Sequence, residues 1–110
     1  MVNIIILVGR LGADPDVRYT QDGKMITSFR LATTSKYDDK EYTEWHRIVT
    51  FGKLAEICGN YLTKGKLIFV QGRTQTRSWD DKDGNKRYTT EIVASTMQML
   101  EAKQDKEAPF

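Results

Sequence analysis

Residues 42–65 read YTEWHRIVTFGKLAEICGNYLTKG, and the spacing of their apolar side chains changes part-way along. Over residues 42–51 the side chains alternate between two faces, as they do in a β-strand. After Lys53 the spacing becomes that of one helix face, with members Leu54, Ile57, Cys58 and Tyr61. Gly65 then provides a C-terminal stop. The stretch predicts a strand that runs almost directly into one short helix.

Two strands are predicted before this unit and two after it, with bounds 3–11, 25–34, 67–79 and 88–100. The first is a near-continuous β-branched run, typical of a buried strand, and residues 17–20 are a short strand extension. Residues 36–41 are predicted to form a polar loop, and Asp83-Gly84 marks a hairpin turn. Five strands with one helix between the third and the fourth is the order of the OB-fold, although the pattern alone also fits other small barrels.

We therefore predict an all-β protein, a five-stranded OB-fold Greek-key barrel over residues 1–100 with a short flexible C-terminal tail over residues 101–110. The longest apolar run, Ile4 to Val8, is far shorter than the roughly 20 residues of a membrane span. The single cysteine has no disulfide partner, and no Cys/His cluster predicts a metal site. We expect a cytoplasmic protein with no membrane contact, cofactor or metal.

Charge gives almost no indication of function, because 17 basic residues face 15 acidic ones for a net of +2. A nucleic-acid-binding role must therefore come from where the charges lie. An enzymatic role has little support. His46 is the only histidine, and the carboxylates fall in turns without a matching base or nucleophile. We predict that the protein is not an enzyme.

One strand face combines aromatic rings with a charge. Strand alternation places Trp45, Arg47, Val49 and Phe51 on that face, with His46 on the other. A Trp and a Phe on a barrel strand are commonly core residues. The guanidinium between them favours a different interpretation, in which the rings stack on unpaired bases and the cation meets phosphate.

The segment 73–79 repeats this arrangement. One face carries Arg73, Gln75, Arg77 and Trp79, and the other carries only hydroxyl side chains. Because neither face is apolar, we predict a solvent-projecting β-ribbon rather than a core strand. Tyr37, beside two lysines, is either a further stacking ring or a locally packed loop tyrosine. Lys53 and Lys64 flank the helix, as phosphate contacts or as ordinary surface charge.

Four segments, in order, closely resemble the bacterial single-stranded DNA-binding proteins of the homotetrameric class: LVGRLGADPDVRYT, TEWHRIVTFGKLAE, YLTKGKLIFVQGRTQTRSW and YTTEIVASTMQML. The resemblance spans residues 3–100. It implies an OB-fold homotetramer that binds and protects single-stranded DNA during replication, recombination and repair, without regard to base sequence.

The resemblance also implies roles for individual residues. The stacking positions of the family are occupied here by Trp45, Phe51, Trp79 and Tyr37, the last where a tryptophan is more usual. Phosphate contacts are implied at Arg47, Lys53, Lys64 and Arg77, to which we add Arg73 from its place on the ribbon. His46 matches a position at the subunit interface.

The family carries an acidic C-terminal tip that docks replication and repair enzymes. This sequence ends EAKQDKEAPF, so Pro109 and Phe110 are either such a tip on a short tail or a coincidence. Lys106 interrupts the acids, and recruitment of these enzymes is therefore expected to be weak. Two other functions stay open: a primosomal-type OB-fold adaptor that works mainly through protein–protein contacts, and an OB-fold RNA binder of the cold-shock type.

Overall fold

Six strands and one helix make up the computed structural model, which describes residues 1–101. In chain order they are β1 (Ile5–Leu11), β2 (Asp16–Tyr19), β3 (Met25–Tyr37), β4 (Lys40–Phe51), α1 (Gly52–Tyr61), β5 (Leu67–Asp80) and β6 (Lys86–Met99). No helix of residues 1–101 has the length and apolar content that a membrane crossing requires.

The strands form one sheet in the order β1-β5-β6-β4-β3-β2, and β1 also pairs with β3. This additional pairing closes five strands into a barrel, while the four-residue β2 only extends the edge of β3. All pairs are antiparallel except β4 with β6, where Ile48 lies opposite Ile92. The predicted five-stranded barrel, with its helix between the third and the fourth barrel strand, is confirmed.

The barrel core consists of aliphatic side chains that the strands alternate inward, of which Leu31, Ile48, Ile68 and Val70 are wholly buried. Helix α1 closes one end of it. The buried residues of α1 are Ala55 and Cys58, and Leu62 is buried just after the helix ends. Of the predicted stripe, Cys58 is in the core and Leu54 packs against it, whereas Tyr61 is 60% exposed. Burial raises the pKa of the Cys58 thiol to about 11.

Two buried threonines form hydrogen bonds beneath α1, and one of them bonds the helix directly. Thr27 Oγ1 donates to the Ala55 carbonyl at 2.7 Å, and Thr50 Oγ1 donates to the Thr27 carbonyl at 2.8 Å. Gly59 lets α1 lie close to the sheet, because a Cβ at this position would lie 2.9 Å from the Met25 side chain. Its low helix propensity is the cost of that approach.

Strand β1 differs from its prediction as a buried strand. Its inward residues pack against the core, but on the outside Ile6 and Val8, together with Ile4 just before the strand, are 57, 50 and 60% exposed. The apolar run therefore meets the core from one side only in the single chain. Its other side is an aliphatic surface, here called the β1 outer face, defined by these three residues.

The hairpin between β3 and β4 replaces the polar loop predicted for residues 36–41. Tyr37 pairs directly with Lys40, so the turn is only two residues long. Both turn residues, Asp38 and Asp39, have positive φ values of 54° and 64°. Two-residue hairpins of this kind require that conformation, and Asp is among the few side chains that adopt it readily.

The ribbon formed by the outer halves of β5 and β6 projects from the barrel, as predicted. Its turn is organised by Asp81, whose carboxylate accepts the backbone N–H groups of Asp83 and Asn85 and the Nε–H of Arg87 at 2.8 Å. The bond from Asn85, followed by that from Arg87, lowers the pKa of the Asp81 carboxyl. The tip of the ribbon is thereby held by hydrogen bonds rather than by a core.

Candidate nucleic-acid interface

Strand β4 presents its aromatic rings to solvent. Trp45 and Phe51 are 53 and 50% exposed, and the guanidinium of Arg47 between them is also exposed. Val49 shares the face but is buried beneath its neighbours. The interpretation of the two rings as core residues is wrong, and each has a surface available for stacking.

A groove of about 420 Å³ lies beside Trp45, within the size range of small-molecule sites. Trp45 and the turn after β1 supply its walls. Its charged lining consists of Arg18, Arg30, Arg47, Asp14 and Asp16. Arg18 is paired with Asp16 at 2.9 Å. Neither Arg18 nor Arg30 was singled out from the sequence, because only the folded sheet brings β2 and β3 beside β4.

Arginines from three strands converge on this face. Arg30 lies directly opposite Arg47 across the β3–β4 ladder, and like charges in that position repel each other. Both line a further groove with Arg77, Trp79 and Thr89. Arg30 makes no ion pair with a carboxylate of residues 1–101. A bound anion such as phosphate would relieve this repulsion.

One buried carboxylate holds two of these arginines. Glu91 is 5% exposed and lies on β6, between β4 and β5. It accepts the Nε–H of Arg47 at 3.3 Å and that of Arg77 at 2.9 Å. Because the Nε edges are engaged, guanidinium nitrogens on both side chains stay available for another anion. Glu91 was missed from the sequence, since 44 residues separate it from Arg47.

Trp79 is oriented by a residue of the neighbouring strand β6. The ring is half exposed, and its Nε1–H donates to Thr89 Oγ1 at 3.0 Å. This bond fixes one edge of the indole across the ribbon and leaves the ring beside Arg77 in the same groove. Phe51 lines an adjoining groove with Arg47, Arg77 and Glu91. The aromatic rings of β4 and of the ribbon thus surround one arginine cluster.

The remaining predicted contacts lie around these grooves rather than inside them. Tyr37, 68% exposed, is at the tip of the β3–β4 hairpin, and Lys53 is in the first turn of α1. Lys64 donates its backbone N–H to Asp14, a residue of the Trp45 groove. Arg73 lies at the base of the ribbon, where it donates to Gln75 and lines a separate groove beside Ile4.

His46 is half-buried on the opposite side of β4 from Trp45, with Nε2 in a 2.9 Å hydrogen bond with Thr33 Oγ1. In residues 1–101 no group of three or more His, Cys, Asp or Glu side chains is arranged to hold a metal ion. Pro109 and Phe110, the predicted partner-binding tip, lie outside the described residues.

The fold and this face together define an OB-fold nucleic-acid-binding protein. Residues 2–100 match the family model described as the Single-strand binding protein family, and the chain belongs to that family.

Two bacterial relatives carry the name Single-stranded DNA-binding protein 1. That of Xylella fastidiosa (strain 9a5c) is 54% identical over 110 aligned residues, covering 94% of this chain and 81% of the relative. That of Chlorobaculum tepidum is 52% identical over 108, covering 93% and 67%. A solved structure titled Plasmodium falciparum SSB complex with ssDNA superposes with a TM-score of 0.85 at 33% identity, covering 92% of this chain and 96% of that one.

Proposed function

We propose that this protein binds and protects single-stranded DNA without regard to base sequence, in replication, recombination and repair. One observation carries the proposal: half-exposed aromatic rings surround a cluster of arginines on one face of an OB barrel. Every base has a π-face, so stacking on Trp45, Phe51 and Trp79 is indifferent to sequence. The arginines meet the phosphates between successive bases.

The individual site residues are part of the proposal. Arg47 and Arg77 contact phosphate from the centre of the face, where Arg18 and Arg30 join them. Residues at the margins extend the path of the strand: Tyr37, Lys53, Lys64 and Arg73. Membership of the family supports this assignment, as do relatives named for single-stranded DNA binding. Binding of this kind needs no covalent bond to be made or broken, so the proposed role is non-enzymatic. The proposed location is the cytoplasm.

The assembly is proposed to be a homotetramer built on the barrel domain, residues 1–100. The β1 outer face supports it, since three adjacent half-exposed aliphatic side chains on a strand favour burial against a second copy. His46 is proposed to lie near that interface. Recruitment of replication and repair enzymes through Pro109 and Phe110 stays a prediction.

The test is a tryptophan fluorescence titration with a dT homopolymer, run beside an equally long duplex and an RNA of the same length. We expect quenching and tight binding with dT and little response to duplex. Equal affinity for duplex and single strand would contradict the proposal, and preference for RNA would favour the cold-shock type. Light scattering on the same sample is expected to give the tetramer mass. A dimer with weak DNA affinity would favour the adaptor instead.

A further inference from the structure

Gly12 lies just beyond the end of β1, directly against the indole of Trp45. A Cβ placed on Gly12 would overlap Cζ3 of that ring and lie 2.7 Å from Cη2, closer than real carbon atoms approach. The six-membered ring of the indole therefore rests on the bare backbone of Gly12. No other residue type leaves that space open.

The backbone here is held on two sides. The N–H of Gly12 donates to the Arg30 carbonyl of β3 at 3.1 Å. The preceding residue, Leu11, donates its N–H to the Lys66 carbonyl at 3.1 Å and accepts the Gly65 N–H at 2.9 Å. Backbone tied into two neighbouring segments cannot retreat without losing these bonds. The half-exposed ring of Trp45 is the partner that would move.

What Gly12 supplies is space rather than backbone freedom. The glycines with positive φ in the described chain are Gly23, Gly52, Gly65 and Gly84. Gly12 is outside that group, so no left-handed backbone conformation requires a glycine there. A Gly12→Ala variant is therefore expected to fold, with the consequence confined to the ring above it.

We infer that Gly12 is a positioning residue for single-strand binding: it seats the Trp45 ring as a wall of the groove that Arg18, Arg30 and Arg47 also line. With the ring on Gly12, a base stacked on Trp45 lies beside guanidiniums that reach its phosphates. A displaced ring still offers a π-face but no longer aligns with them. The role of Trp45 in stacking rests on the proposed function. The position of its ring rests only on the contact with Gly12.

The experiment places Gly12→Ala in two backgrounds, Trp79→Phe and Trp45→Phe. In Trp79→Phe, where Trp45 is the only tryptophan, we expect the alanine to shift the DNA-free emission to longer wavelength and to increase quenching by acrylamide. Affinity for dT is expected to fall by up to about 150-fold, the upper range for one stacked base. In Trp45→Phe the smaller ring leaves room for the Cβ, and the alanine should change affinity by less than about twofold.

Unchanged emission in Trp79→Phe, or an equal loss of affinity in both backgrounds, would overturn the inference. Thermal unfolding covers the case in which the alanine destabilises the chain. If Gly12→Ala unfolds and the additional Trp45→Phe substitution restores folding, the contact between the Cβ and the indole is responsible. If the single and the double variant both unfold, contact with Trp45 is not the reason for the glycine. The emission measurement needs no DNA. A wild-type protein that fails to bind dT would therefore contradict the proposed function without affecting the conclusion that Gly12 positions the Trp45 ring.

Discussion

The outer surfaces of β1 and β4 are about equally exposed, and their chemistry is opposite. The β1 outer face carries three branched aliphatic side chains, 50–60% exposed, and Arg10 at the end of the strand is paired with Glu101. Strand β4 exposes Trp45 and Phe51 to the same degree but places the guanidinium of Arg47 between them. Aliphatic surface gains from contact with more aliphatic surface, whereas flat rings beside cations suit flat, anionic partners.

The comparison teaches that exposure alone does not identify a partner. One face of a barrel strand packs into the core, so the side chains on its outer face can determine which partner binds there. Under the proposed function, β1 specifies a second copy of the chain and β4 specifies single-stranded DNA. If this division holds, a substitution on either face should alter one property and leave the other unchanged.

The largest effect is expected on assembly. Ile6→Lys places a charge in the middle of the β1 outer face, where a second copy would have to bury it, and should dissociate the tetramer. Light scattering at micromolar concentration measures the mass. Tyr61→Lys is the matched control, since Tyr61 is 60% exposed on α1 and a lysine is well accepted in a last helical turn. A tetramer that survives Ile6→Lys would end the assignment of β1 to assembly.

Removal of a stacking ring should come next. Trp45→Ala is expected to weaken dT binding by about 1–3 kcal/mol, roughly fivefold to 150-fold, with the tetramer intact. Tyr61→Ala, which removes an equally exposed aromatic ring from α1, should leave affinity unchanged. Equal losses in both variants, measured by fluorescence titration, would mean that aromatic content rather than the β4 face governs binding.

A charge at the centre of the face should show itself in the salt dependence. Arg77→Gln is expected to reduce the slope of log affinity against log salt by roughly 0.7, the contribution of one phosphate contact. Arg10→Gln is a close control, because both arginine side chains are 54% exposed and each is paired with a carboxylate. An identical slope in wild type and Arg77→Gln would remove that residue from the DNA path.

The smallest effect concerns the orientation of the ribbon. Thr89→Val deletes the acceptor of the Trp79 Nε1–H, and an exposed hydrogen bond of this kind contributes on the order of 1 kcal/mol at most. Affinity for dT should fall by about two- to fivefold. Thr90→Val removes the neighbouring hydroxyl, which bonds Thr76 across the same ribbon, and should have no effect. Equal behaviour of the two variants would show that Trp79 needs no anchor.

Much of this architecture could be predicted from the sequence, because the number and order of the strands and the place of the helix are encoded locally, and the family resemblance selected the OB-fold among small barrels. The helix between the third and fourth barrel strands is encoded locally by the change of period after Lys53. Alternation along β4 likewise placed Trp45, Arg47 and Phe51 on one face. The arginine between two rings favoured the exposed interpretation, which their half exposure supports.

What escaped prediction depends on contacts between distant segments. The contact that positions Trp45 is made by Gly12, and the carboxylate that bonds Arg47 belongs to Glu91. The alternation of side chains along a single strand does not predict either of these two contacts. The exposed side of β1 was missed for another reason. An unbroken aliphatic run is equally typical of a strand buried on both faces and of one that needs a second subunit to cover it.

Glu91 has a consequence for how the protein would move on a strand. An arginine that releases a phosphate does not return to bare water, because the Glu91 carboxylate already bonds its Nε–H. The Glu91 bond is present whether or not a phosphate is bound, so each guanidinium keeps its orientation and can receive the next phosphate without rearranging. We expect a strand held this way to shift past Arg47 and Arg77 in small steps, so that firm occupancy is compatible with rapid repositioning.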